Sequence, residues 1–504
     1  MAEDGGPDGG DAPDIDVAIV GAGISGIGMA AHMQVLCPHR SFTVIERRAG
    51  IGGTWDLFRY PGVRSDSDMH TLGFAFEPWR HEKSIADGAA ILEYLNRIAD
   101  ERAIRRHIRF GSKVVSADWD SAAALWRLEL EQGANVTRLT ARFLYLGSGY
   151  YDYDEPYDAV LPGRELFAGA IIHPQFWPEG FHYAGKQVVV IGSGATAVTI
   201  VPAMAQCAGH VTMLQRTPTW YGIRPAKDAV ANFLRRILPD KAAYALTRWK
   251  NIRFQDLVFR RARKSPGKVG DYLTRQLRKT LGDKYDAATF TPPYGPWDQR
   301  LCLVPDGDLF EAMKAGKADI VTGHIERFDA AGITLKDGRH LAADVIVTAT
   351  GLRLATVGKI AVSIDGAPVD FARAYYYKGC MFSNVPNLAA VFGYLNASWT
   401  LRADLDAEYI CRLLNHMAAI GADTATPVMQ PGSEPEEDNV FDFSSGYIER
   451  SRGIIPKSAR TLPWRLSQDY LHDAKWMRDN PLDDGIIRFR STASARAGQM
   501  EHAQ

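Results

Sequence analysis

Strand-length apolar runs recur along the chain, and each is closed by glycine or another small residue. DVAIVGAG at 16–23, KQVVVIGSG at 186–194, FLYLGSGYY at 143–151 and DVIVTATGL at 344–352 share this form. Near-continuous apolar runs of this length read as parallel strands buried on both faces. After the first two, the pattern changes to small and apolar residues without alternation, ISGIGMAAHM and ATAVTIVPAMA, which suits helices packed on a sheet. Two further strands are predicted in SFTVIERR, ending at Glu46, and in HVTMLQRTPTW. The longest apolar runs fall far short of the roughly 20 residues a membrane span needs.

The junctions between strand and helix carry the first chemistry. Gly21, Gly23 and Gly26 form G-x-G-x-x-G in the strand–turn–helix setting that gives the motif meaning. Gly21 permits the tight turn, Gly23 admits a pyrophosphate to the backbone, and Gly26 lets helix and strand approach. The helix N-terminus supplies N–H groups to the phosphates. Glu46, at the end of the next strand, is placed to accept from ribose hydroxyls.

A second unit follows in which Gly192, Gly194 and Ala197 form the G-x-G-x-x-A variant. Its next strand runs into Arg216 and Thr217 instead of an acid. A guanidinium there pairs with a 2′-phosphate, so NADPH is expected over NADH. Two dinucleotide loops in one chain imply one flavin and one nicotinamide, face to face for hydride transfer. The fold class expected is α/β, with two Rossmann-like dinucleotide-binding domains, the second inserted in the first, and a helical insertion.

The expected boundaries are a disordered Gly- and Asp-rich tail at 1–14, an FAD domain at 15–150 and 351–490, an NADPH domain at 151–350 and a tail at 491–504. The chain's 504 residues accommodate two or three domains. With 58 basic and 59 acidic residues, the overall balance points to no nucleic-acid partner. Five scattered cysteines include no C-x-x-C pair and no zinc-like spacing, so a reducing, cytoplasmic setting is expected, with neither disulfide chemistry nor a metal. The N-terminal segment has no basic n-region or apolar h-region, so it does not read as a signal peptide.

Two longer patterns narrow the class. Phe167, Gly169, His173 and Trp177 lie in FAGAIIHPQFWP as F-x-G-x-x-x-H-x-x-x-W-P, and Gly52 to Asp66 reads G-G-x-W-x4-Y-P-G-x3-D. In these residues the sequence resembles the flavin-containing (class B) Baeyer–Villiger monooxygenases, from about residue 15 to about residue 490. The resemblance implies that FAD and NADPH are the cofactors and O2 a substrate, with one oxygen atom delivered through a C4a-peroxyflavin to a small lipophilic ketone, thioether or thioamide. It places Ser25, Thr54, Trp55, Asp56, Asp66 and Val114 against FAD, and Ser193, Ala195, Thr196, Ala197 and Val198 with Arg216 and Thr217 against NADPH. It makes Arg300 the catalytic cation, oriented by Asp66, and gives His173 and Trp177 a coupling role in the connector. Asn396 and Trp399 fall near its substrate pocket. A broader flavin monooxygenase limited to S- or N-oxygenation, or an uncoupled NADPH oxidase, stays open beside this reading.

One local feature departs from the neutral average. Residues 224–284 carry 17 Lys and Arg against five Asp, a net +12, with apolar residues at helical spacings, among them Phe233, Trp249 and Leu257. Such helices lie on anionic membrane surfaces, or they pack on a domain with a solvated basic face. Both placements are open at this level, the second on the NADPH domain.

Overall fold

The computed structural model describes residues 13–299, 301–438, 450–451 and 453–492. The expected tails lie largely outside these residues, and Arg300 lies outside them too.

The strand Ile15–Val20 lies inside a nine-stranded sheet, third from one edge. It pairs in parallel with Phe42–Ile45 on one side and with Asn135–Leu146 on the other. Its apolar run is continuous because both faces are covered. Val17 and Ile19 enter one core, and Ala18 and Val20 enter the other. The helix Ile24–Leu36 covers the first face and is covered in turn by Trp399–Ile420. Residues 361–364 and 388–390 rejoin this same sheet, pairing with 116–119 and with 144–146.

A second sheet of five parallel strands is drawn wholly from the chain between those two parts. Its order is Ala318–Thr322, His210–Gln215, Gln187–Ile191, Val345–Thr348 and Ala170–Ile172. Val188 and Val190 enter one core while Val189 and Ile191 enter another, which again explains an unbroken apolar run. The apolar segment at 344–352 is a shorter strand than its sequence suggests. Pairing ends at Thr348, and 349–352 belong to the passage between domains.

The chain crosses between the two sheets twice, and the two crossings lie side by side. Tyr151 bridges antiparallel to Leu354, the Asp152 N–H donates to the Arg353 carbonyl at 2.9 Å, and the Ala355 N–H donates to that of Tyr150 at 3.0 Å. The buried Asp152 carboxylate accepts from Lys359 at 2.9 Å, adding a charged tie between the passes.

The basic insertion forms the helices Ala229–Ile237, Asp240–Lys264 and Pro266–Leu281. It spans both domains, so the expectation of packing on the NADPH domain alone describes only its last helix. Leu277 and Leu281 enter the core of the second domain, and Gly270 lies under Trp220. Asp240–Lys264 instead grips the first domain: Tyr244 donates to the Phe74 carbonyl at 3.0 Å and Arg248 to that of Gly73 at 2.7 Å. No described helix is long and apolar enough to cross a membrane.

Candidate active site at the meeting of two nucleotide loops

The two glycine loops use their glycines for different ends. At Gly21 the backbone turns with φ +97°, and a Cβ would stand 2.7 Å from the Gly147 carbonyl oxygen. At Gly26 a Cβ would come within 1.8 Å of the Gly21 oxygen, so helix and strand meet backbone to backbone. Gly23 is different. A Cβ there would meet only Gly53, at 3.6 Å, which is ordinary contact. The missing side chain at Gly23 therefore leaves room beside the helix N-terminus that the protein itself does not fill. The second loop repeats the division. Gly192 is pressed on the Ala349 oxygen, at 2.3 Å from a Cβ, whereas Gly194 has nothing within 4 Å. Open cradles at two helix N-termini fit the pyrophosphates of two dinucleotides.

Glu46 follows its strand directly and is buried. Its carboxylate accepts from the N–H groups of Ala22, at 2.7 Å, and Arg48, at 2.8 Å, fixing it beside the first loop. Burial pushes its pKa above the ordinary value, with those two N–H groups and the nearby arginines opposing. A carboxylate has lone pairs for about four hydrogen bonds, so two partners leave capacity for ribose hydroxyls. Arg216 stands exposed just past His210–Gln215, and Thr217 beside it accepts from the Ser193 hydroxyl through its carbonyl at 3.4 Å.

The first loop and the start of the helix after the second open on one cavity of about 310 Å³, a size suited to a small organic ligand. Gly21, Gly23, Ser25, Glu46, Thr54, Trp55 and Val114 line it from the first domain, and Ala195, Thr196 and Thr199 from the second. Asp66 is on its wall, as is Trp399. Asp56 turns instead to Arg48 at 2.6 Å and Arg59 at 3.0 Å. The Asn396 amide donates to the Gln468 carbonyl at 2.8 Å, and neither Asn396 nor Arg216 is among the cavity's lining residues. Ala197 and Val198 are fully buried in the second domain's core, where they hold the helix behind its loop.

Trp399 joins the first helix to the passage between domains. Its indole N–H donates to the Ser25 hydroxyl at 2.8 Å, and its ring stacks on Tyr150 at 4.9 Å and 15°. Gly393 lies beneath it, so close that a Cβ would stand 2.4 Å from the ring.

Residues of the Gly52-to-Asp66 pattern bind domain to domain. Gly62, with φ +77°, lets the Tyr60-Pro61-Gly62 turn rest on the helix Ala195–Met204; a Cβ there would be 2.7 Å from Ala203 and 2.9 Å from the Thr199 carbonyl. Burial pushes the Tyr60 phenol up to about 12, opposed by its hydrogen bond to Thr196. Arg64 pairs across the same boundary with Asp308. In the connector, the Phe167 ring folds over Gly169, where a Cβ would meet it at 2.7 Å. Trp177 sits edge-on to Phe181 and Tyr183, and His173 caps the short turn Pro174–Phe176 by accepting the Gln175 N–H at Nδ1. Tyr60, Arg64 and Tyr150 as contact residues were not found by sequence reasoning. Tyr60 and Arg64 both lie inside the Gly52-to-Asp66 pattern, which was the available signal.

Comparison with known proteins agrees with this architecture. A profile described as pyridine nucleotide-disulphide oxidoreductase matches residues 18–239. The FAD-containing monooxygenase EthA of Mycobacterium tuberculosis is 50% identical over 477 residues, covering 94% of this chain and 97% of its own length. The chain belongs to the FAD-containing monooxygenases. The probable FAD-binding monooxygenase AlmA of Acinetobacter baylyi is 46% identical over 477 residues, with coverage of 94% and 96%. Among solved structures, an oxidized steroid monooxygenase bound to NADP superposes with a TM-score of 0.76 at 22% identity, covering 95% of this chain and 99% of that one. An ε-caprolactone-bound cyclohexanone monooxygenase gives 0.73 at 21% identity, covering 94% and 99%. These two share the fold of this family member across nearly its whole length.

Proposed function

We propose that this chain is an NADPH-dependent Baeyer–Villiger monooxygenase with FAD as its resident cofactor. It inserts one oxygen atom of O2 into small lipophilic ketones, giving esters or lactones, and also oxygenates the sulfur of thioethers or thioamides. The observation that carries this reading is a cavity lined by Gly23, the open position of the first loop, and by Ala195 and Thr196, which directly follow the open Gly194 of the second. The names of the relatives and the lactone in the cyclohexanone monooxygenase structure support the choice of reaction.

In this reading FAD supplies the redox and oxygen-activating chemistry and NADPH the hydride. The polypeptide binds, orients and excludes water. We assign the FAD domain to 15–150 and 351–490, and the NADPH domain to 151–350. Gly21 to Gly26 take the flavin nucleotide's pyrophosphate, Glu46 its ribose, and Thr54, Trp55 and Val114 flank it. Ser193, Gly194 and the helix they open take the second pyrophosphate, and Arg216 reads the 2′-phosphate. Arg300 offsets negative charge developing on the substrate oxygen, since a guanidinium stays protonated at any working pH. Asp66, on the cavity wall, orients it.

The test is product analysis with an aliphatic ketone and a thioether, recording product formed per NADPH consumed. Ester formation close to one per NADPH is expected. Sulfoxide without ester would place the protein among S-oxygenating flavin monooxygenases, and hydrogen peroxide alone would make it an NADPH oxidase.

A further inference from the structure

The helix Asp240–Lys264 is built inside out. Its inner side is polar: Arg248 donates to the carbonyls of His70, Thr71 and Gly73 at 3.0, 3.1 and 2.7 Å, while Asn251 and Gln255 donate to the two Asp68 oxygens at 2.9 and 2.7 Å. Its outer side carries an apolar stripe among exposed cations. Leu246, Trp249 and Leu257, with Arg253 between the last two, recur at intervals of three and four and so form one stripe. A helix at the surface of a globular protein ordinarily shows the reverse arrangement. The preceding helix, Ala229–Ile237, packs beside it and exposes Val230, Phe233 and Ile237 at the same spacing. All six apolar side chains are between 49% and 60% exposed.

Cations surround this apolar face. Arg236, Lys241, Arg253 and Arg261 are exposed, and the Arg253 guanidinium lies 5.5 Å from the centre of the Trp249 ring. The insertion's net +12 stands out in a chain whose total is −1. A second copy of the chain is a poor occupant, because an isologous contact would set one strongly basic patch against its equal. An anionic lipid surface meets both demands, taking the apolar stripe into its headgroup boundary and the cations onto its phosphates.

We infer that the outer faces of Ala229–Ile237 and Asp240–Lys264 dock this protein on anionic membranes. The same helix grips residues 68–74, which continue directly from the 63–67 segment on the cavity wall, so the docked helix and the cavity are joined by one stretch of chain. A lipophilic substrate dissolved in the bilayer is thereby brought near the site. Docking itself is a property of the surface and stands apart from the choice of reaction.

The experiment is co-sedimentation of the full-length, FAD-loaded protein with vesicles of phosphatidylcholine, alone or mixed with phosphatidylglycerol, at low and high salt. Binding is expected only with phosphatidylglycerol and is lost at high salt. Neutralising Arg236, Lys241, Arg253 and Arg261 to Gln is expected to weaken it by more than about 100-fold. The triple variant Leu246→Ser, Trp249→Ser, Leu257→Ser is expected to abolish it with flavin content unchanged, since those side chains are exposed. Absence of wild-type binding to phosphatidylglycerol at low salt would overturn the inference, as would full binding by either variant. A wild-type dimer that the triple variant dissolves, without vesicle binding, would assign the face to a second copy instead.

Discussion

The imidazole of His173 lies 3.3 Å from the carbonyl oxygen of Gly351, joining points 178 residues apart. Nδ1 accepts from the Gln175 N–H at 3.2 Å, so the proton sits on Nε2 and is donated to that carbonyl. The residue thus clamps the end of Ala170–Ile172, the edge strand of the second sheet, to the second passage between the domains. Burial lowers its pKa, partly opposed by the bond to Gly351 and by the Asp158 charge. The unfolded chain therefore binds this proton more tightly than the folded one. Its contribution to stability is complete above about pH 6.5 and is lost as pH falls through that value toward the lowered folded pKa. His173→Asn keeps a side-chain oxygen for the cap but does not titrate. Its melting temperature is expected to fall less than that of the wild type between pH 7.5 and pH 5.5, in about the range where histidine titrates; equal falls would show that His173 is not the group responsible.

The glycines separate folding from nucleotide binding. Gly26→Ala places a methyl 1.8 Å from a backbone oxygen and is expected to destabilise the first domain severely. Gly23→Ala meets only ordinary contact and is expected to give a folded but colourless protein. Near-wild-type melting with loss of flavin in the second variant, beside aggregation or a large drop in melting temperature in the first, is the pattern to look for. Full flavin content in Gly23→Ala would remove the pyrophosphate from that cradle.

NADPH preference is assigned to Arg216. Arg216→Ala is expected to raise the KM for NADPH by about 10- to 150-fold, the worth of a charge-assisted hydrogen bond, with NADH little changed. Steady-state kinetics with both nucleotides measure this directly. An unaltered preference would assign the 2′-phosphate to another residue.

Arg300→Ala leaves both glycine loops intact. It is expected to keep FAD and to consume NADPH while losing product by more than about 100-fold, as a preorganised charge at a reacting oxygen is worth roughly 3–4 kcal/mol. Arg300→Lys is expected to rescue poorly, because an ammonium cannot pair bidentately with a carboxylate. Asp66→Ala is expected to show a milder form of the same uncoupling. Simultaneous assays of NADPH and product report it, and wild-type coupling in Arg300→Ala would rule out the proposed role.

Much of this architecture is legible in the sequence because buried parallel strands and glycine turns impose local patterns. Val188 to Ile191 must be apolar at every position when both sheet faces are covered, and Gly21 and Gly192 must lack a Cβ where backbones touch. What is not legible depends on long-range contact. Nothing local to Arg248 says that it will be buried against His70 to Gly73, turning the apolar stripe of its helix outward. The periodicity of that helix was visible, whereas the direction of its apolar side was not. Likewise Tyr60 belongs to a recognisable spacing, but its contact with Thr196 exists only once the second domain folds onto the first.

The central claim is that one cavity served by two nucleotide loops transfers an atom of dioxygen to a carbon substrate. It is tested most directly by turnover of an aliphatic ketone under ¹⁸O2 with NADPH, followed by mass spectrometry of the product. One labelled oxygen atom in the ester, formed in step with NADPH consumption, is the predicted result; NADPH consumed with unchanged ketone, or an ester free of label, would contradict it.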